Sequence, residues 1–206
     1  ESIISFNDTQ VVVRLAPVST GGRDVVQDFT INLDNDQTVS GDSLFTYRPA
    51  GSIDSVVPVS GQGGTNVVII GTNLLGYGNS VDTVTLAGVA AEIVLANDTY
   101  VSVIAGASSA GKGDIVITMD TGATVILADG TAGLDNNEWE YIAPAEVESI
   151  SPAAGQVATK VTISGSGLRG GGNEITGVTL GGLSVQSIES EADDEVVVIA
   201  SAYVYP

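Results

Sequence analysis

Apolar side chains recur along this chain in short runs broken by glycine, serine, asparagine and aspartate, and no long amphipathic helical pattern interrupts them. Residues 81–86 show the rhythm most clearly. Val81, Thr83 and Thr85 alternate with Asp82, Val84 and Leu86, the two-residue period of an extended strand. The same reading predicts strands over 53–57, 66–71, 81–86, 90–95, 100–104, 113–119, 123–127 and 139–142. Turn chemistry separates them at Ser60-Gly61-Gln62-Gly63-Gly64, Gly76-Tyr77-Gly78-Asn79 and Asp120-Thr121-Gly122. Hydrophobic residues make up 43% of the chain but aromatic residues only 5%. The apolar positions are therefore mostly Val, Ile, Leu and Ala, which fit a pleated, half-buried surface. The predicted class is all-β.

The pattern repeats. Ile53, Val56, Pro58, Gly61, Thr65, Val67, Ile69, Gly71 and Leu74 each have a counterpart 94 positions on: Val147, Ile150, Pro152, Gly155, Thr159, Val161, Ile163, Gly165 and Leu168. The match runs on through Val84, Leu86 and Gly88 onto Val178, Leu180 and Gly182, and after one inserted residue Ile93 and Ile104 fall on Ile188 and Ile199. The chain's start joins the scheme. Asn7-Asp8-Thr9 matches Asn97-Asp98-Thr99, Asp24-Val25-Val26 matches Asp114-Ile115-Val116, and Phe45-Thr46-Tyr47 matches Trp139-Glu140-Tyr141. Residues 1–49 therefore read as the C-terminal part of one repeat, 50–143 as a complete one, and 144–206 as the N-terminal part of a third. Opening and closing inside strand-like sequence, the chain is expected to be a window on a longer polypeptide. Seven or eight short strands per repeat predict immunoglobulin-like β-sandwiches in tandem.

The spacing Ile-x-x-Val-x-Pro-x-x-Gly-x-x-x-Thr-x-Val-x-Ile-x-Gly-x-x-Leu, followed by Val-x-Leu-x-Gly, occurs from Ile53 to Gly88 and again from Val147 to Gly182. It resembles the IPT/TIG domain, and the closing Trp139-Glu140-Tyr141 is similar to that family's last strand. The resemblance implies an immunoglobulin-like sandwich of the kind found in receptor ectodomains, microbial and protist surface proteins, some starch-acting enzymes and Rel-type transcription factors. A fold shared so widely does not by itself fix a function.

Charge narrows the choice. The net charge is −19, from 25 acidic against 6 basic residues, which repels phosphate backbones and anionic headgroups. The transcription-factor branch binds DNA through basic loops, whereas the complete repeat carries Lys112 alone. Nucleic acid is therefore excluded as an expected partner. No apolar run reaches membrane-spanning length, so no membrane insertion is expected in this segment.

Catalysis finds no foothold. Histidine and cysteine are both absent, which removes the usual nucleophile–base pairs. The acidic residues scatter through loops that differ between copies, unlike a paired-carboxylate site. The glycine clusters lack the lysine and the following helix of a phosphate loop. No cofactor is expected, and the chain is read as not an enzyme. Asp34, Asp36 and Asp42 flank a turn with the oxygen-rich character that Ca²⁺ prefers, as do Asp193-Asp194-Glu195 and Asp135-Asn136-Asn137-Glu138. None recurs at the equivalent place in another copy, so solvated turns are the favoured reading. Asn7 and Asn97 each open an Asn-x-Thr acceptor pattern at the same repeat position, making them candidate glycosylation sites; the third copy has Ala192 there. The alternative is an Asx-turn. Trp139, Tyr141, Phe45 and Tyr47 are expected to pack in cores rather than stack on sugars, with Tyr77 and Tyr100 the more exposed rings.

Tyr47 to Ile53 and Tyr141 to Val147 each span six positions and contain Pro49 or Pro144. A link of about five residues reaches roughly 17 Å at most, and proline limits its bend. The expected function is a structural repeat region of an extracellular fibre, filament or surface appendage. Its expected partners are neighbouring repeats and other copies of the same protein, with glycans also open. The alternatives are a spacer or adhesion ectodomain of a cell-surface receptor or adhesin, or an accessory module of a polysaccharide-active enzyme.

Overall fold

The computed structural model describes residues 2–7, 9–15, 20–128 and 138–202, which form strands and turns with no helix among them. The chain divides into two compact units, Glu1–Ala50 and Gly51–Pro206. The first consists of two antiparallel hairpins. Strand β1 (Ser2–Phe6) pairs with β2 (Val11–Arg14), and β3 (Val25–Asn32) pairs with β4 (Thr38–Tyr47).

In the second unit, the complete repeat begins with β5 (Ser52–Val57), β6 (Ser60–Gly61), β7 (Asn66–Thr72) and β8 (Val81–Leu86). It continues through β9 (Val89–Ala96), β10 (Tyr100–Ile104), β11 (Gly111–Gly113), β12 (Ile115–Met119), β13 (Thr124–Leu127) and β14 (Trp139–Tyr141). The hydrogen-bonded order is β13-β12-β8-β9-β10-β7-β5, with a second sheet β11-β14-β6. Strand β9 serves two partners: Val89–Ala91 pair with β8, and Glu92–Ala96 with β10 across a register shift at Ser102/Val103. The expected 113–119 strand is interrupted at Asp114, whose carbonyl accepts from Ala87 N at 2.9 Å instead of joining the ladder.

Alternation decides what is buried. Val56, Ile69, Val101 and Ala96 align across four strands, and Val67, Val103 and Ile93 across three. With Val84, Leu86, Ile115 and Ile117 they form one core closed by Trp139 and Tyr141, which meet edge to face at 5.6 Å and 82°. Both rings are buried, as their recurring position predicts. The repeated glycine and threonine positions have local causes. A Cβ at Gly71 or Gly165 would strike the carbonyl of Ser52 or Glu146 on the neighbouring strand. Thr65 and Thr159 fold their hydroxyls back to accept from Gln62 N and Gln156 N at 3.1 and 2.9 Å. The peptides Val57-Pro58 and Ser151-Pro152 are both cis.

The last segment builds β15 (Glu146–Ser151), β16 (Lys160–Ser166), β17 (Thr179–Leu180), β18 (Leu183–Ser184), β19 (Ser187–Glu191) and β20 (Glu195–Ile199). Its four-stranded sheet runs β15-β16-β20-β19, and its core is Val161, Ile163, Val196 and Val198. Strand β15 differs from β5: Val147 is 57% and Ile150 43% exposed, against 5% and 8% for Ile53 and Val56. In the first unit, Phe45 and Tyr47 stack edge to face at 5.0 Å. Phe45 is nevertheless exposed and Tyr47 only half-buried. The expected core packing therefore holds for Trp139 and Tyr141 and not for Phe45. Residues 1–49 hold no counterpart of β5, β7 or β8, the strands that complete the core of the full repeat.

Two substitutions test this core. Trp139→Ala removes the closing ring and should destabilise the complete repeat by about 3–5 kcal/mol, read from the denaturant midpoint by circular dichroism. Burial raises the Tyr141 pKa above its ordinary 10.0. The folded state thus keeps its phenolic proton at pH values where the unfolded chain has lost it. Stability is independent of this group below pH 10 and falls as pH rises beyond it. Because Tyr141 Oη has no partner among the described residues, Tyr141→Phe should leave neutral-pH stability unchanged or higher and should flatten the alkaline fall in melting temperature.

Candidate functional site

Residues that pair across antiparallel strands share a sheet face, so the ladder that fixes the core also fixes the outer surface. On the outer face of the complete repeat, Val57, Val68, Ser102 and Leu95 form one row and Ser55, Ile70 and Tyr100 the next. The corresponding rows of the last sheet are Ser151, Thr162, Val197 and Ser190, and Ser149, Ser164 and Glu195. One backbone frame thus presents an aliphatic surface in one copy and a hydroxyl-rich one in the next. Beside these rows Val94 stands exposed, where the last copy has Glu189. Ser102 lies buried within the apolar row and donates to Asn66 Oδ1 at 3.0 Å. Tyr77 is exposed as expected, and Tyr100 is half-buried beside Ile70.

The edge of this face ends in the β9–β10 turn. Asn97 Oδ1 accepts from Thr99 N at 3.0 Å, Thr99 Oγ1 at 3.2 Å and Tyr100 N at 3.0 Å. Asn7 makes the same three contacts with Thr9 N, Thr9 Oγ1 and Gln10 N, each at 2.9 Å. Both asparagines are exposed. The Asx-turn and the acceptor pattern thus coincide in the same residues. The last copy closes the same turn with Ala192 N donating to Glu195 O at 2.8 Å, as Asn97 N donates to Tyr100 O at 2.8 Å.

The carboxylates have backbone tasks that spacing alone did not reveal. Asp98 Oδ1 accepts from Leu75 N at 3.3 Å and Asp193 Oδ1 from Arg169 N at 3.1 Å. The aspartate that recurs is therefore the one that fastens this turn to the loop after β7 or β16. Asp120 receives Asn79 N at 3.2 Å on each oxygen. Asp34 and Asp36 sit in the β3–β4 turn, where Asp36 adopts φ 60°, while Asp42 lies further along β4. Among the described residues no three acidic side chains gather as metal ligands. Asp135, Asn136 and Asn137 lie outside the described residues.

Residues 142–145 join the complete repeat to the last sheet. Here Gln62 Oε1 accepts from Ala145 N at 3.3 Å. A Cβ on Gly171 (φ 82°) would lie 2.6 Å from Ile142 Cδ1. The glycine loop is tethered behind this contact by Arg169, whose Nε and Nη2 donate to Glu191 Oε2 and Oε1 at 3.0 and 3.1 Å; Glu191 Oε2 also receives Ile175 N at 3.1 Å. The Glu191 hydrogen bond raises the Arg169 pKa further, keeping the guanidinium charged. The complete repeat holds Leu75 and Ala96 at these two places, so the ion pair belongs to the last copy.

The family model described as "IPT/TIG domain" matches residues 52–132 and 145–204. No curated protein sequence matches the chain. Among solved structures, the plexin A4 extracellular region is 20% identical with a TM-score of 0.45, over 74% of this chain and 15% of that one. The Bacteroides ovatus mixed-linkage glucan utilization locus protein SGBP-B, in complex with a mixed-linkage heptasaccharide, is 17% identical with a TM-score of 0.35, over 86% of this chain and 43% of that one. The Bacteroides uniformis SGBP-B from a complex xyloglucan utilization locus is 21% identical with a TM-score of 0.31, over 74% and 43%. The chain thus spans less than half the length of each.

The joint yields a direct test. Gly171→Val forces a β-branched side chain into a left-handed conformation against Ile142, at a cost of about 1–3 kcal/mol. Amide exchange at Ala145 should accelerate. The chain's single tryptophan, Trp139, should report an unchanged unfolding transition for the complete repeat.

Proposed function

The chain belongs to the IPT/TIG domain family, and from that premise we propose that it is a non-catalytic structural segment of an extracellular or cell-surface protein, a run of sandwiches serving as the shaft of a fibre or appendage. The observation that carries this reading is the joint between the complete repeat and the sheet that follows. Residues 142–145 are too few to act as a free tether. Gln62 holds Ala145 N across the link, and the loop containing Gly171 lies against Ile142. Interfaces within a chain default to relative motion unless packing opposes it; here the linker amide, the linker side chain and the tethered loop all oppose it. The buried cores are aliphatic or aromatic, and Ser102, on the outer face, is the only buried polar residue among those described. The absence of histidine and cysteine from the sequence also supports a role in spacing over one in chemistry.

A shaft segment should resist extension domain by domain and should bind no free sugar. Single-molecule pulling on the full chain, anchored at its ends, is expected to give a discrete unfolding peak for the complete repeat, absent in Trp139→Ala. Gln62→Ala should lower amide protection at Ala145. Saturable binding of a soluble glucan or xyloglucan oligosaccharide to the unmodified chain, measured by calorimetry, would overturn the spacer reading in favour of a glycan receptor.

A further inference from the structure

Between the complete repeat and the last copy, the acceptor asparagine and the outer face change together. In the complete repeat, the strand leading to Asn97 carries Val94 and Leu95, 59% and 55% exposed. In the first unit, the strand leading to Asn7 carries Ile4, 60% exposed, at the place of Val94, and Ser5 at the place of Leu95. In the last copy the asparagine is Ala192, and Val94 and Leu95 are replaced by Glu189 and Ser190. Exposed apolar surface of this kind is an aggregation hazard unless something covers it.

The last copy also shows what the asparagine is not needed for. Its turn closes through Ala192 N and Glu195 O at 2.8 Å, and Asp193 fastens it to the Arg169 amide. Turn formation therefore does not demand Asn97. In Asn97, Oδ1 is held by three donors, while Nδ2 has no partner among the described residues. The acceptor stands one residue beyond β9 and is bonded to Tyr100, which shares the apolar face with Ile70.

We propose that Asn97 and Asn7 carry N-linked oligosaccharides that lie over the apolar strands preceding them and replace the polar side chains the last copy uses there. The donor class is an oligosaccharide on a polyprenyl diphosphate. Nδ2 attacks the anomeric carbon, and the C1–O bond to phosphate breaks with its electron pair leaving on the lipid diphosphate. The C1–Nδ2 bond forms, and Nδ2 releases one proton to the transferase's base. The C–H-lined faces of the first sugars then meet Val94, Leu95, Ile70 and the Tyr100 ring, and their hydroxyls face water. This rests on the surface location in the reading above and is independent of the joint.

The full 206-residue chain, secreted from a eukaryotic host behind a leader, tests it. Peptide mapping should find Asn7 and Asn97 modified, with native-state peptide-N-glycosidase converting both to aspartate. Removing the glycans should raise anilinonaphthalene-sulfonate fluorescence and self-association. A Val94→Glu/Leu95→Ser variant should lose the part of that rise due to Asn97. Asn97→Ala should fold, by the Ala192 precedent, and should show without enzyme the part of that rise due to Asn97. Unmodified Asn97 in the secreted chain would overturn the modification. Modified chains whose dye binding does not change on stripping would overturn the covering role. Neither result bears on the Ala145 amide protection that tests the joint.

Discussion

Burial of a closing aromatic pair against aliphatic rows is the interaction on which the rest of the complete repeat depends. Trp139 and Tyr141 sit edge to face over a core drawn from β5, β7, β8, β10, β12 and β13, and each buried aliphatic side chain there contributes about 1.5–3 kcal/mol. Strand β5 shows what that layer does. Ile53 and Val56 are buried in that core, with β5 against β13, whereas Val147 and Ile150 on β15 are exposed in a segment that holds no counterpart of β12, β13 or β14. The first unit makes the same point from the other side. Phe45 and Tyr47 keep their mutual geometry but not their burial, because residues 1–49 hold no counterpart of β5, β7 or β8 to complete a core around them.

Once the core face is fixed, the outer face is free to change. Substitution at Val57, Val68, Ile70 or Leu95 costs the core nothing, since the two-residue period points those side chains away from it. The last copy uses this freedom to place serine, threonine and glutamate on the same frame. The turn after β9 varies on the same principle: the aspartate that fastens it to the neighbouring loop recurs as Asp98 and Asp193, and the residue before it is asparagine or alanine. The loop after β7 or β16 varies likewise, with Leu75 and Ala96 of the complete repeat replaced by the Arg169–Glu191 pair beside three consecutive glycines in the last copy.

Much of this was legible in the chain itself. Alternation located the strands, because burial on one face leaves its period in the residue order. The 94-position offset identified the repeats, and Gly71, Gly165, Thr65 and Thr159 mark local steric and hydrogen-bonding needs that any copy must meet. The all-β sandwich class and the IPT/TIG family follow from these. The Asn-x-Thr turns were visible as two alternatives, acceptor or Asx-turn, and the fold shows the turn geometry within the acceptor pattern.

Sequence by itself determined the period, the repeat and the absence of histidine and cysteine chemistry, since each is a property of order and composition along one dimension. Tertiary structure alone decided that Asp98 and Asp193 serve backbone amides, that Phe45 stays exposed while Trp139 is buried, and that Gln62 reaches Ala145 across 83 positions. It alone showed that Val57, Val68, Ile70 and Leu95 form one surface. Those facts depend on which strands become neighbours, and pairing across a sheet brings together residues whose separation along the chain carries no trace of their contact.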